Sequence, residues 1–235
     1  IVLGMAPKAR WTGAHQVMCR VSDDWRTCDR FDPVYGKNGP SLFTNTGEGG
    51  AIHEKNWLWF SYDGALHLIY GAVPHEVVRF NEAFTVENKY ETVTPNIPWT
   101  MGDIRGGTTP VLIGREWWTF FHSSLPWRGK KRQYHMGAYA FEQHPPFRIT
   151  RMTPRPLLTG SPNDYWLPGK PACIFPCGAL FRNGKWTVVG GSNDLECFWC
   201  EIPHAELIER TISTLEPTPR KTWLTKAGEL LTSAP

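Results

Sequence analysis

Trp57-Leu58-Trp59-Phe60-Ser61-Tyr62-Asp63-Gly64-Ala65-Leu66-His67-Leu68-Ile69-Tyr70 reads as two apolar strands around a two-residue turn. Asp and Gly both tolerate the positive φ such a turn requires, so Asp63-Gly64 predicts a hairpin with Leu66 to Tyr70 as its return strand. The same pattern recurs twice. Val111-Leu112-Ile113 meets Gly114-Arg115 and then Trp117 to His122, and Ala179-Leu180-Phe181 meets Asn183-Gly184 and then Trp186 to Val189. The turns fall roughly 50 to 70 residues apart, an interval that suits propeller blades of several strands each. Further strands are predicted over 1–6, 15–21, 74–80 and 196–202. Helical periodicity is confined to 205–214, and the 20 prolines disfavour long helices. The predicted class is all-β. A β-sandwich is the alternative, though its strand signals usually come closer together. The Gly-, Pro- and Asn-rich text from Asp32 to Gly50 predicts a long loop.

Composition narrows the function classes. At 235 residues and 41% hydrophobic content, the chain can bury a substantial core. It has no apolar run of the ~18 residues that a spanning helix needs. A net charge of +3 is too small to point to nucleic acid. The one basic run, Arg128 to Arg132, reads as a solvated loop. Six cysteines in a chain of this length do not form a secreted disulfide framework. Cys173, Cys177, Cys197 and Cys200 have zinc-ribbon spacing, but the second pair lies within a predicted strand and lacks a turn residue, so no metal is expected. No signal peptide is visible before Ile1-Val2-Leu3-Gly4-Met5-Ala6, which reads as a buried strand, and a cytoplasmic location is expected. Twelve Trp, twelve Phe and seven Tyr suit sugar rings and β-sheet cores alike.

Asp103-Ile104-Arg105-Gly106-Gly107-Thr108 is the most informative polar stretch. Paired glycines allow close approach by backbone or ligand, and an arginine there presents a planar donor fork. Polar residues also stand at the other strand boundaries: Glu54-Lys55, His122, Tyr134-His135 and Asp194. One such group per repeat, arranged around a ring, would form a central sugar or phosphate site. Among the aromatics, Trp57 and Trp59 share a strand face and are expected in the core. Trp117 and Trp118 face opposite sides, one towards the core and one towards the surface. Trp99 and Trp127 lie in Pro-rich loops, where exposed aromatics can meet substrate. His144-Pro145-Pro146 reads as a loop between blades.

Together these elements resemble glycoside hydrolase family 130, the β-mannoside phosphorylases and β-mannosidases of the five-bladed β-propeller glycosidases. The resemblance spans about residues 1 to 202. It rests on Glu54-Lys55-Asn56-Trp57, Pro74-His75, Ile104-Arg105-Gly106-Gly107-Thr108, Phe121-His122-Ser123, Tyr134-His135-Met136-Gly137-Ala138, Phe175-Pro176-Cys177-Gly178 and Gly190-Gly191-Ser192-Asn193-Asp194. It implies a five-bladed propeller over 1–204 with its first blade incomplete, and a short C-terminal helix or tail over 205–235. It implies inverting phosphorolysis or hydrolysis of a β-mannoside or related glycan, with no cofactor and inorganic phosphate as co-substrate. The implied phosphate ligands are Lys55, Arg105, His122 and Tyr134; the implied sugar ligands are Asp194, Arg105, Asp103 and His75. The family's general acid belongs to an acidic-aspartate-proline-arginine motif that does not occur here, so it is expected upstream of Ile1. The alternative is a glycan-binding or glycosyltransferase-associated module without that acid. Implied partners are an oligosaccharide or glycoside, and a second copy of the chain or a linked glycosyltransferase; neither nucleic acid nor membrane is implied.

Overall fold

The computed structural model describes residues 2–7, 14–31, 56–127, 131–161 and 171–215. The long loop expected over Asp32 to Gly50, Glu54-Lys55, and Arg128 to Lys130 lie outside these residues. The architecture is predominantly all-β, and the described residues form four antiparallel sheets with meander connectivity. The first contains β1 (Val2–Pro7), β2 (Ala14–Val21) and β3 (Cys28–Phe31). The second runs β4 (Leu58–Tyr62), β5 (Ala65–Gly71), β6 (His75–Phe80) and β7 (Val86–Thr92). The third is ordered β8 (Val111–Ile113), β9 (Glu116–Trp127), β10 (Lys131–Glu142) and β11 (Ile149–Met152), with β12 (Leu158–Thr159) also paired to β10. The fourth holds β13 (Ile174–Arg182), β14 (Lys185–Ser192) and β15 (Glu196–Pro203). A short helix, α1 (His204–Glu209), follows, and β16 (Ile212–Ser213) returns to pair with β11.

All three predicted hairpins form. Asp63 and Gly64 take φ of 50° and 68°, and Asn183 and Gly184 take 52° and 73°, while Gly114 sits at 63°. These are left-handed values, and the flanking pairs Tyr62↔Ala65, Ile113↔Glu116 and Arg182↔Lys185 close two-residue loops. The helix is shorter than the 205–214 periodicity predicts. Ile212-Ser213, flanked by β-branched Thr211 and Thr214, instead extends the third sheet, where the Thr214 hydroxyl donates to the Ile149 carbonyl at 2.6 Å.

The third sheet is covered on both faces, and this explains its composition. Successive strand residues point to opposite sides. Trp117, Phe121, Tyr139 and Phe141 therefore join Leu58, Phe60, Ile69 and Val77 of the second sheet in one core. Trp118, Phe120, Met136 and Ala138 join Ile174, Trp186, Val188 and Ile202 of the fourth sheet in another. Trp117 and Trp118 are both buried, which corrects the core-and-surface assignment. Trp57 and Trp59 do lie in a core, on the other face of the second sheet with Leu68, Val78 and Phe80. Trp99 is also buried rather than exposed: its indole N–H donates to Ser123 Oγ at 3.0 Å and its ring meets Phe121 edge-on. Of the basic run, Lys131 and Arg132 belong to β10 rather than to a solvated loop, and Arg132 folds its guanidinium onto the Ser124 hydroxyl and carbonyl at 2.8 and 2.6 Å. His144-Pro145-Pro146 connects β10 to β11 within one sheet rather than linking two.

Candidate functional site

The Arg105-Gly106-Gly107-Thr108 stretch runs alongside the C-terminal half of β9. Arg105 and His122 exchange both backbone hydrogen bonds, at 2.8 and 3.0 Å, and the Thr108 N–H donates to the Phe120 carbonyl at 2.9 Å. Thr119 Oγ1 donates back to the Thr108 carbonyl at 2.6 Å, which locks the stretch onto the sheet. The two glycines have separate steric reasons. A Cβ on Gly106 would lie 2.0 Å from the Asn56 carbonyl oxygen at the entrance to the second sheet. One on Gly107 would lie 2.5 Å from the Phe120 carbonyl oxygen and 2.8 Å from Pro176 Cγ of the fourth sheet. This edge is where the second, third and fourth sheets converge.

A compact cluster forms there. His122 is buried, and its Nδ1 lies 2.8 Å from the Gly106 carbonyl. A carbonyl can only accept, so Nδ1 carries the proton. The imidazole lies parallel to the Tyr134 ring at 6.0 Å and packs on Phe175 at 4.2 Å. Arg105 is exposed beside it and has no carboxylate partner among the described residues. Arg105, His122 and Tyr134 are thus brought together, while Lys55 lies outside the described residues. Asp103 is exposed, and no ion pair joins it to Arg105. Asp194 occupies the β14–β15 turn with φ of 57°. Its carboxylate is close enough to Cys173 to reinforce burial, the larger cause, in pushing that thiol up to about 12. The neighbouring Asn193 is structural, accepting from the Cys173 N–H and donating to the Ser161 carbonyl, both at 3.0 Å. Among the described residues no three His, Cys, Asp or Glu side chains are grouped to hold a metal ion, and no helix is long and apolar enough to cross a membrane.

His75 lies apart from this cluster, buried between the second and third sheets. Its Nδ1 approaches the Phe147 carbonyl at 2.7 Å, and its ring packs against Tyr139 and Phe141. Burial lowers its pKa from 6.5 to about 4. Between those values the unfolded chain binds a proton that the folded chain refuses, so stability is lost as pH falls through this window. The expected loss by pH 4 is about 3 kcal/mol. Urea unfolding at pH 7 and pH 4.5 checks it, with His75→Asn keeping an N–H donor but no titrating ring. An unchanged pH slope in that variant would assign the acid sensitivity elsewhere.

Phe175, Asn56 and Tyr139 are site residues that sequence reasoning missed. Phe175 sits in a motif already singled out, but its contact with the imidazole depends on how the third and fourth sheets meet. Asn56 and Tyr139 line a cavity of about 400 Å³ between the second and third sheets, which Arg105 and Gly106 border. Asn56 also belongs to a motif already singled out, whereas no local signal marks Tyr139.

No protein-family model and no curated protein matches the chain. Its fold is similar to that of a β-1,2-mannobiose phosphorylase from Listeria innocua, with a TM-score of 0.60 and 14% identity over 84% of this chain and 53% of that one. It is also similar to a glycosyl hydrolase from Bacteroides ovatus, with a TM-score of 0.55 and 10% identity over 84% of this chain and 59% of that one. The fold is thus a β-rich, propeller-like one, distantly similar to glycoside hydrolases and phosphorylases. The chain spans between half and two thirds of the length of these two proteins.

Proposed function

We propose that the chain is a carbohydrate-active protein that binds a glycan at the inner edge beside Arg105 and His122. In this reading the four sheets belong to a five-bladed propeller, and the inner edge faces its central funnel. The reaction is inverting cleavage of a β-mannoside or related glycoside. A phosphate or water oxygen bonds to the anomeric carbon as the glycosidic C–O bond breaks, and the leaving oxygen takes a proton from a general acid that no described residue supplies. Lys55, Arg105, His122 and Tyr134 hold the phosphate, His122 as an imidazolium donating from Nε2 because its Nδ1–H is committed to the Gly106 carbonyl, and these donors offset the cost of placing an anion beside an electron-rich sugar. Asp194, Asp103 and Arg105 contribute to holding the sugar, whereas the expected sugar ligand His75 is buried between the second and third sheets, apart from them.

The observation that carries this reading is the Arg105–His122 pairing. It holds a guanidinium that is exposed and has no carboxylate partner among the described residues next to an oriented imidazole, on a fold similar to that of a phosphorylase. The test is to incubate the purified chain with β-linked manno-oligosaccharides, with and without inorganic phosphate. Arg105→Ala is expected to lower phosphate-dependent product release about 100-fold, with the melting temperature unchanged. Release at the same rate without phosphate would identify a hydrolase. Glycan binding without turnover would favour the second reading, a glycan-binding module, which the missing acidic-aspartate-proline-arginine motif supports. Neither binding nor turnover would overturn both.

A further inference from the structure

Two thiols stand on the outer face of the fourth sheet, away from the third, and the proposed reaction uses neither. Cys177 and Cys197 are both free and exposed. In β15, Phe198, Cys200 and Ile202 pack into the core shared with the third sheet, so Cys197 and Trp199 point the other way. Cys197 lies directly across from Gly191 of β14. Cys177 lies on the other side of that glycine, at the register shift where β13 carries one residue more than β14 between Pro176↔Gly190 and Gly178↔Val189. Its sulfur accepts a hydrogen bond from the Gly191 N–H, which brings it over the middle strand, and Cys197 is close enough to interact with it electrostatically. Nothing lies within 4 Å of the position a Cβ on Gly191 would take, so an open notch separates the two thiols. Val189 and Trp199, paired in the next row, are 45% and 70% exposed and give the notch an apolar border.

The spacing rules out two other uses of these cysteines. A disulfide needs Cα atoms within about 6.8 Å of each other. Residues on the outer strands of a three-stranded sheet stand about 9.5 Å apart, twice the strand spacing. A zinc ribbon would need Cys173, Cys177, Cys197 and Cys200 together, but Cys173 is buried and Cys200 points into the core on the opposite face. We propose that Cys177 and Cys197 form a two-thiolate site for a soft monovalent cation, Cu(I). Thiolates suit Cu(I), zinc and iron–sulfur clusters. Zinc and the clusters call for four protein ligands, whereas Cu(I) is satisfied by two in line. Two metal–sulfur bonds of about 2.3 Å would set the sulfurs about 4.6 Å apart, close to the ~4.8 Å between neighbouring strands. The Cys177 sulfur already lies against Gly191, and Cys197 belongs to the next strand. Each thiol releases its proton to solvent as its metal–sulfur bond forms, and the oxidation state of the ion is unchanged. The site does not depend on the glycan reading.

The test titrates the reduced full chain with Cu(I) under anaerobic conditions, in competition with the chromogenic chelator bicinchoninate. The wild-type chain is expected to withdraw a single equivalent of the ion from the chelator, and X-ray absorption to show two sulfur neighbours. Cys177→Ser and Cys197→Ser each remove one ligand and are expected to weaken binding by about 100-fold or more. Gly191→Val keeps both thiols but fills the notch, and is expected to weaken binding as well. Cys28→Ser removes an exposed thiol of the first sheet and should change nothing. Circular dichroism and thermal melting check the fold of each variant. A wild-type chain that takes no Cu(I) from the chelator overturns the proposal. So does uptake that is unchanged in Cys177→Ser or in Cys197→Ser. Uptake that falls as far in Cys28→Ser as in those two variants would show adventitious thiol binding only, and Zn(II) held as tightly as Cu(I) would overturn the assignment to a two-coordinate ion.

Discussion

Gly106→Ala is expected to destabilise the chain by more than about 3 kcal/mol, the upper end of what overpacking costs. The added methyl would lie 2.0 Å from the Asn56 carbonyl oxygen and 2.9 Å from two carbons of Leu58. The oxygen belongs to the backbone where the chain enters β4, so relieving the clash requires the second sheet to move away from the third. The Gly106 carbonyl also accepts from His122 Nδ1, so the same shift would release the imidazole. Gly191→Ala is the matched control, because nothing lies within 4 Å of a Cβ there, and its effect is expected within about 0.5 kcal/mol. Urea unfolding of both variants decides the point. Equal midpoints would mean that the two sheets do not meet as closely as described.

Trp186→Ala is expected to cost about 3–5 kcal/mol, the range for truncating a large buried aromatic side chain. Trp186 is fully buried at the junction of the third and fourth sheets. It meets Phe120 edge-on at 5.4 Å, packs on Phe181 at 5.0 Å, and donates its indole N–H to His204 Nδ1 at 3.0 Å. Truncation removes this packing and leaves the imidazole nitrogen without its donor. Trp186→Phe keeps most of the volume and should recover a large part of the loss. A cost below about 1 kcal/mol for the alanine variant, outside that range, would show that this cluster does not hold the fourth sheet in place.

The elements written locally were legible. Asp63-Gly64, Gly114-Arg115 and Asn183-Gly184 specify hairpins because positive φ is a property of one or two residues and their side chains. The alternation around Trp57 and Trp59 likewise marked a core face. Trp117 and Trp118 were misassigned because alternation separates two faces but cannot say whether both are covered. Covering them takes the second sheet on one side and the fourth on the other. Trp99 was misread for a related reason: its Pro-rich loop folds inward, so that the indole N–H reaches Ser123.

The same division runs through the candidate site. By itself the sequence determined the strand-forming stretches, the turns between them and the polar residues worth singling out, among them Arg105, His122, Tyr134 and Asp194, although His122 and Tyr134 fall inside β9 and β10 rather than at strand ends. Only the tertiary structure decided that Arg105 pairs with His122, that His122 packs on Phe175, and that Tyr139 is buried with its hydroxyl unpaired among the described residues. The physical reason is range. Turn and strand preferences act between near neighbours in the chain, whereas the glycine pair, the imidazole cluster and the cavity arise where separate sheets approach within van der Waals distance.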